Sequence, residues 1–165
     1  MRVSFDLDEV LFVDPETFET EDPPRLPFSF IYKERLRKGT VRLIHTLQDE
    51  GFEAWVYTSS SRPVKYIDSL VRLYGVKFDG IINNPRHLKE VQRHRAIPLP
   101  QKMPGYYHIA LHIDDEDVIH QNGKRYGFRT YKVCDPDPDW VEKVLAEARR
   151  VRKLEERKGA AHRKP

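Results

Sequence analysis

Arg2-Val3-Ser4-Phe5-Asp6-Leu7-Asp8-Glu9-Val10-Leu11 is the stretch on which the reading of this chain turns. A short apolar-containing run stops abruptly at acidic residues, the pattern of a buried strand that delivers carboxylates at its C-terminal end. Asp6 and Asp8 stand two residues apart, so in an extended chain both side chains project to one side and reach a common ligand. Two adjacent carboxylates resist joint ionisation unless a cation neutralises them or one keeps its proton, which suits a nucleophile beside an acid. Taken alone, Asp6-Leu7-Asp8-Glu9 reads as well as an acidic turn after a strand.

Working outward, Val13 to Pro27 carries Pro15, Pro23, Pro24 and Pro27 among several acids, which predicts an irregular loop or small flap. Thr40 to Glu50 has Val41, Leu43, Ile44 and Leu47 at helical spacing, with Gly51 placed to end the helix. Phe52 to Tyr57 predicts a second strand with a polar mouth, Thr58-Ser59-Ser60-Ser61-Arg62. Pro63 suits the first turn of the next helix, whose stripe of Val64, Ile67, Leu70, Val71 and Tyr74 closes at Gly75. Phe78 to Ile82 predicts a third strand, Arg86 to His94 a basic helix, and Pro98, Pro100 and Pro104 an extended connection. Tyr107 to Ile113 predicts a fourth strand running into Asp114, and Phe128 to Val133 a fifth. Asp137 to Asp139 is placed to cap a final helix bearing Trp140, Val141, Val144, Leu145, Ala148 and Val151, frayed from Arg157 onward.

Strands alternating with helices predict an α/β fold, a parallel sheet of about five strands with helices on both faces. In such sheets ligands bind outside the carboxyl ends of the strands. Three strands end in Asp6 and Asp8, in Thr58, and in Asp114 and Asp115, so one shared site is expected.

The 165 residues fit one domain, expected over residues 1–156, followed by a basic, flexible tail over 157–165. The net charge of +3 is uneven: Arg149 to Pro165 holds a local +6 and leaves the rest at −3. A basic tail of this kind suits contact with RNA, DNA or another polyanion through its phosphates, and it reads as well as a solvated helix end. The single Cys134 cannot form an internal disulfide, the N-terminus lacks a secretory signal, and no apolar run suits a membrane helix, so a soluble, cytoplasmic protein is expected. The seven histidines show no zinc-type spacing with cysteine.

Phe5-Asp6-Leu7-Asp8-Glu9-Val10-Leu11 resembles the first motif of the haloacid dehalogenase superfamily, with Glu9 where many members carry glycine. Ala54-Trp55-Val56-Tyr57-Thr58 resembles the second motif, and His112-Ile113-Asp114-Asp115 the fourth. Lys102 resembles the third-motif lysine, with Lys89 as its rival. The resemblance implies a three-layer Rossmann-like fold of capless type and a magnesium-dependent phosphatase. It implies Asp6 as nucleophile, Asp8 as acid and base, and Thr58, Ser59 and Lys102 on the phosphoryl group. Magnesium would sit on Asp6, the Asp8 backbone carbonyl, Asp114 and Asp115, with Glu116 and Asp117 as alternatives to Asp115. Phe18, Phe28, Phe30, Tyr32, Tyr106 and Tyr107 are candidates to line an uncapped opening, which would admit a small or macromolecular phosphorylated substrate. The competing reading is a binding or regulatory protein that keeps the fold without turnover.

Overall fold

Alternation along the first strand, β1 (Arg2–Phe5), sets Val3 and Phe5 on one face and Ser4 on the other, and all three are buried. A strand buried on both faces belongs inside a parallel sheet. The computed structural model, which describes residues 1–93, 96–133 and 135–161, places it there. β1 is followed by β2 (Phe12–Val13), α1 (Phe28–Ile31), β3 (Arg35–Leu36), α2 (Thr40–Asp49), β4 (Glu53–Tyr57), α3 (Val64–Leu73) and β5 (Gly80–Ile82). Then come α4 (Asn84–His87), a π turn (Leu88–Gln92), a 3-10 turn (Pro104–Tyr107), β6 (Ile109–Asp114), α5 (Asp117–Tyr126), β7 (Thr130–Lys132) and α6 (Trp140–Ala161).

The main sheet has the order β5-β4-β1-β6-β7 and every pairing in it is parallel. The chain leaves β1 towards β4 and β5, then returns to add β6 on the opposite side, so strand order reverses between β1 and β6. A crevice opens at such a point because the connections on either side diverge.

One face of the sheet, with Val3, Phe5, Ala54, Val56, Leu111 and Ile113, packs against Leu43, Ile44 and Leu47 of α2, Ile67, Leu70 and Val71 of α3, and Val144, Leu145, Ala148 and Val151 of α6. On the other face Tyr57, Ile82 and Ile109 pack with Val91 of the π turn and Tyr107 of the 3-10 turn, while α5 lies against β7. The three layers match the sequence expectation. No helix among the described residues is long and apolar enough to cross a membrane.

The differences are local. The second, third and fifth strands are each shorter than predicted, and Tyr107 belongs to the 3-10 turn before β6 instead of a strand. Helix α5 was not anticipated, because Asp117 to Tyr126 holds few apolar residues and buries only Ile119 and Gly123. At the start of the expected flap, β2 pairs antiparallel with β3, Phe12 opposite Leu36 and Val13 opposite Arg35. Pro63 precedes α3 and does not join its first turn. The predicted basic helix resolves into α4 and the π turn, and His94 lies outside the described residues, as do Cys134 and residues 162–165. Helix α6 continues to Ala161, past the predicted fraying point at Arg157. Two of the aromatics named as candidates for the opening take the commoner fate of core residues: Phe18 packs on the Arg37 guanidinium and Tyr107 edge-on against Tyr57.

Candidate active site

The carboxylates at the switch point are held there by the sheet itself. Asp6 extends β1, its backbone N–H donating to Ile113 O at 2.8 Å, and Asp114 closes the neighbouring β6. Thr58 extends β4 in the same way, donating to Ile82 O at 2.9 Å, so it leaves the sheet at the same end as Asp6, one strand over. Its hydroxyl accepts from the Ser60 N–H at 3.0 Å, which shapes the turn that holds Ser59 half-buried.

Lys102 is buried completely between two acids, with Nζ 2.6 Å from Asp114 Oδ2 and 2.8 Å from Asp6 Oδ1. The Asp6 contact is close enough for an ion pair but lacks the angle of a hydrogen bond, so Oδ1 is buried without a directed donor. Burial pulls the Lys102 ammonium down, yet the two carboxylates outweigh it and hold the lysine charged. Lys89, the rival, is exposed on the π turn.

The acids do not share the benefit equally. Burial and repulsion from Asp114 together raise the Asp6 carboxyl against the pull of Lys102. Burial also works against Asp114, but hydrogen bonds from His112 and Lys102 prevail and hold it well below the usual carboxylate range. Asp115 is pushed up to about 6, chiefly by burial and further by Asp114, Asp6 and Glu116.

Sequence reading passed over His112, which sits in β6 two residues before Asp114 and is fully buried. Its Nε2 lies 2.8 Å from Asp114 Oδ2 and its Nδ1 2.8 Å from Ser4 Oγ. A carboxylate only accepts, so Nε2 carries the proton and Nδ1 accepts from the Ser4 hydroxyl. Burial favours the neutral ring. The signal was in the alternation: Ser4 and His112 are polar residues at inward positions of paired strands, in register with each other.

Tyr57 was likewise read only as a strand residue. Its hydroxyl accepts from the Met103 N–H at 2.8 Å and lies 2.6 Å from His87 Nδ1, which ties down the segment next to Lys102. Arg62, noted before only as part of the polar mouth, donates to Asp8 Oδ2 at 2.9 Å. Asp8 itself is half exposed, unlike the buried Asp6.

Oxygens of Asp6, Asp114 and Asp115 all lie within 4.8 Å of one another. Three carboxylates around one ammonium leave a surplus of negative charge, and Asp6 Oδ1 lacks a hydrogen bond. Both features fit a hard divalent cation with oxygen ligands, such as magnesium. Glu116 instead accepts from Gln101 at 3.2 Å, and the exposed Asp117 pairs with Lys132 at 2.6 Å.

No protein-family model matches the sequence, and no curated protein matches it. Solved structures do match. A haloacid dehalogenase (HAD) superfamily hydrolase of subfamily IA from Geobacter sulfurreducens aligns over 83% of this chain and 91% of its own, at 14% identity and a TM-score of 0.52. An uncharacterized protein from Listeria monocytogenes aligns over 92% of this chain and 98% of its own, at 17% identity and a TM-score of 0.54. With a parallel sheet of this order and acids at its switch point, the chain has the fold of the HAD-like hydrolases.

Proposed function

We propose that this protein is a magnesium-dependent phosphohydrolase of capless type that works through an aspartyl-phosphate on Asp6. The observation that carries the reading is Lys102, buried between Asp6 and Asp114 at the carboxyl ends of β1 and β6, with Asp115 alongside. A lysine in that position neutralises both a nucleophilic carboxylate and the phosphoryl group it attacks.

Asp6, Asp114, Asp115 and the Asp8 backbone carbonyl would hold magnesium, which supplies positive charge to the phosphoryl oxygens. An Asp6 carboxylate oxygen attacks phosphorus, and the bond from phosphorus to the leaving oxygen breaks. Asp8, half exposed where substrate arrives, gives its proton to that oxygen. Asp8 then takes a proton from water as the water oxygen attacks the same phosphorus, releasing inorganic phosphate and restoring Asp6. The Thr58 hydroxyl, the backbone amide of Ser59 and the Lys102 ammonium bind the equatorial oxygens throughout.

Purified protein is expected to release phosphate from phenyl phosphate with magnesium and not with EDTA, and Asp6→Asn is expected to abolish turnover. Full activity in Asp6→Asn would overturn the reading. The expected contact with nucleic acid stays a proposal about residues 157–165. Upstream of them Arg149 pairs with Glu50, Arg150 with Glu147, and Arg152 with Glu50 at 3.6 Å, so much of the basic run is already engaged.

A further inference from the structure

Asp8 has a task that demands orientation, yet it sits half exposed on a turn, where a short side chain ordinarily samples several rotamers. What restrains it is Arg62. One guanidinium nitrogen, Nη1, donates to Asp8 Oδ2 at 2.9 Å and to Ser60 Oγ at 2.9 Å, while Nε donates to Glu34 Oε1 at 3.3 Å. Arg62 is in turn fixed at its backbone, where its carbonyl accepts from the buried Asn83 side chain at 3.0 Å. The guanidinium lies 6.0 Å from the centre of the Phe12 ring.

Glu34 comes from a different part of the chain, just before β3. Its second oxygen accepts a hydrogen bond from the Tyr66 hydroxyl of α3, and Tyr66 packs against Tyr32 with ring centres 5.1 Å apart. Burial opposes the Glu34 charge, but the bonds from Tyr66 and Arg62 hold its carboxyl below the ordinary value. Tyr66, Glu34, Arg62 and Asp8 therefore form one continuous chain of hydrogen bonds. It runs from a helix behind the site, across the segment between β2 and β3, to the residue at the mouth.

We propose that Arg62, braced by Glu34 and Tyr66, is the positioning residue for Asp8, and that it sets how well the enzyme expels a leaving group that needs a proton. The inference rests on the phosphohydrolase reading and adds a role that none of the sequence motifs contains. The planar fork of an arginine is suited to it, because its rigid donors hold two carboxylates at fixed relative angles, which the freely rotating donors of a lysine ammonium do not impose.

The physical consequence is selective. A misplaced acid slows the departure of a basic alkoxide or phenoxide, and leaves untouched a group stable enough to depart unprotonated. The test compares kcat/KM for phenyl phosphate and dinitrophenyl phosphate in the full-length, magnesium-loaded protein. That ratio reports only the steps through loss of the leaving group, so later water attack does not enter.

Arg62→Met is expected to lower kcat/KM for phenyl phosphate about tenfold or more, with a fall of less than about threefold for dinitrophenyl phosphate. Arg62→Lys is expected to recover part of the phenyl phosphate loss, and Tyr66→Phe to show a smaller loss with the same selectivity. An equal fall for both esters, as expected of a residue that binds the phosphate group or only supports the fold, would overturn the proposal. So would no fall for either.

A second measurement is independent of turnover. Three-bond couplings about the Asp8 Cα–Cβ bond are expected to report one rotamer in the native protein and averaging in Arg62→Met; one rotamer in both would overturn the proposal. A native protein without phosphatase activity but with this rotamer contrast would refute the phosphohydrolase reading and leave Arg62 as the restraint on Asp8.

Discussion

Glu9 has a φ of +58°, in the left-handed region that costs a side-chain-bearing residue on the order of 1–2 kcal/mol. The turn is forced by its neighbours: the Phe12 N–H donates to Leu7 O at 2.7 Å and the Glu9 N–H to Phe12 O at 2.8 Å, folding the chain back immediately after Asp8. This explains physically why glycine suits the position in proteins that this motif resembles, and why Glu9 read as a departure in the sequence. Glu9→Gly relieves the strain while loosening the unfolded chain, so a net gain of up to about 1 kcal/mol is expected in urea unfolding. Glu9→Val is expected to lose about 1–2 kcal/mol, since branching at Cβ worsens the left-handed conformation. Asp6, Thr58 and Asp114 were legible as polar residues where apolar strands end, and Asp8 and Asp115 as acids one or two residues beyond them. Arg62 and His112 were not, since their importance lies in partners 54 and 108 residues away in the chain.

Among the elements, β4 delivers more than Thr58. Its last residue, Tyr57, is fully buried, and the hydroxyl receives the Met103 N–H at 2.8 Å, pinning the otherwise extended segment that carries Lys102. Tyr57→Phe preserves the packing against His87, Tyr107 and His112 but leaves the part-buried Met103 amide without its acceptor, which is expected to cost about 1 kcal/mol. Amide exchange at Met103 should quicken, and kcat should fall through a less fixed Lys102. Unchanged exchange at Met103 would show that the hydroxyl does not hold the segment. Strand periodicity located β4, and helical periodicity located α2 and α3. Helix α5 escaped because it presents a narrow apolar face to β7, with Gly123 allowing the close approach: an added Cβ there would meet Phe128 O at 2.8 Å. A helix that packs through a glycine leaves almost no hydrophobic stripe to read.

For the whole molecule, the proposed metal ligands come from strands that neighbour each other in space but are separated by about a hundred residues of chain, so binding is coupled to global folding. Magnesium at a hundredfold over its Kd is expected to add about 2.7 kcal/mol to stability. For a chain of this size that is a rise in Tm on the order of 5–10 °C. Asp115, together with the likewise raised Asp6, sets the pH window. The folded Asp115 carboxyl sits at about 6, above its ordinary 3.8, so the metal-free folded state holds the proton more tightly than the unfolded chain does. The contribution of this group to stability therefore falls as pH rises between those values, while magnesium needs the deprotonated form. The increment in Tm should be full above about pH 7 and small at pH 5, read by thermal unfolding with and without magnesium. A pH-independent increment would exclude Asp115 as a ligand.

By itself the sequence determined the alternation of strands and helices, the carboxyl ends where polar residues gather, and the candidate acids, because burial and backbone geometry impose short periods that a linear reading detects. Tertiary structure alone placed Lys102 between Asp6 and Asp114, Asp115 beside them, and Arg62 against Asp8. Those placements depend on strand order and on contacts between distant segments, and no local pattern encodes the distance from Lys102 to Asp6 or from Arg62 to Asp8.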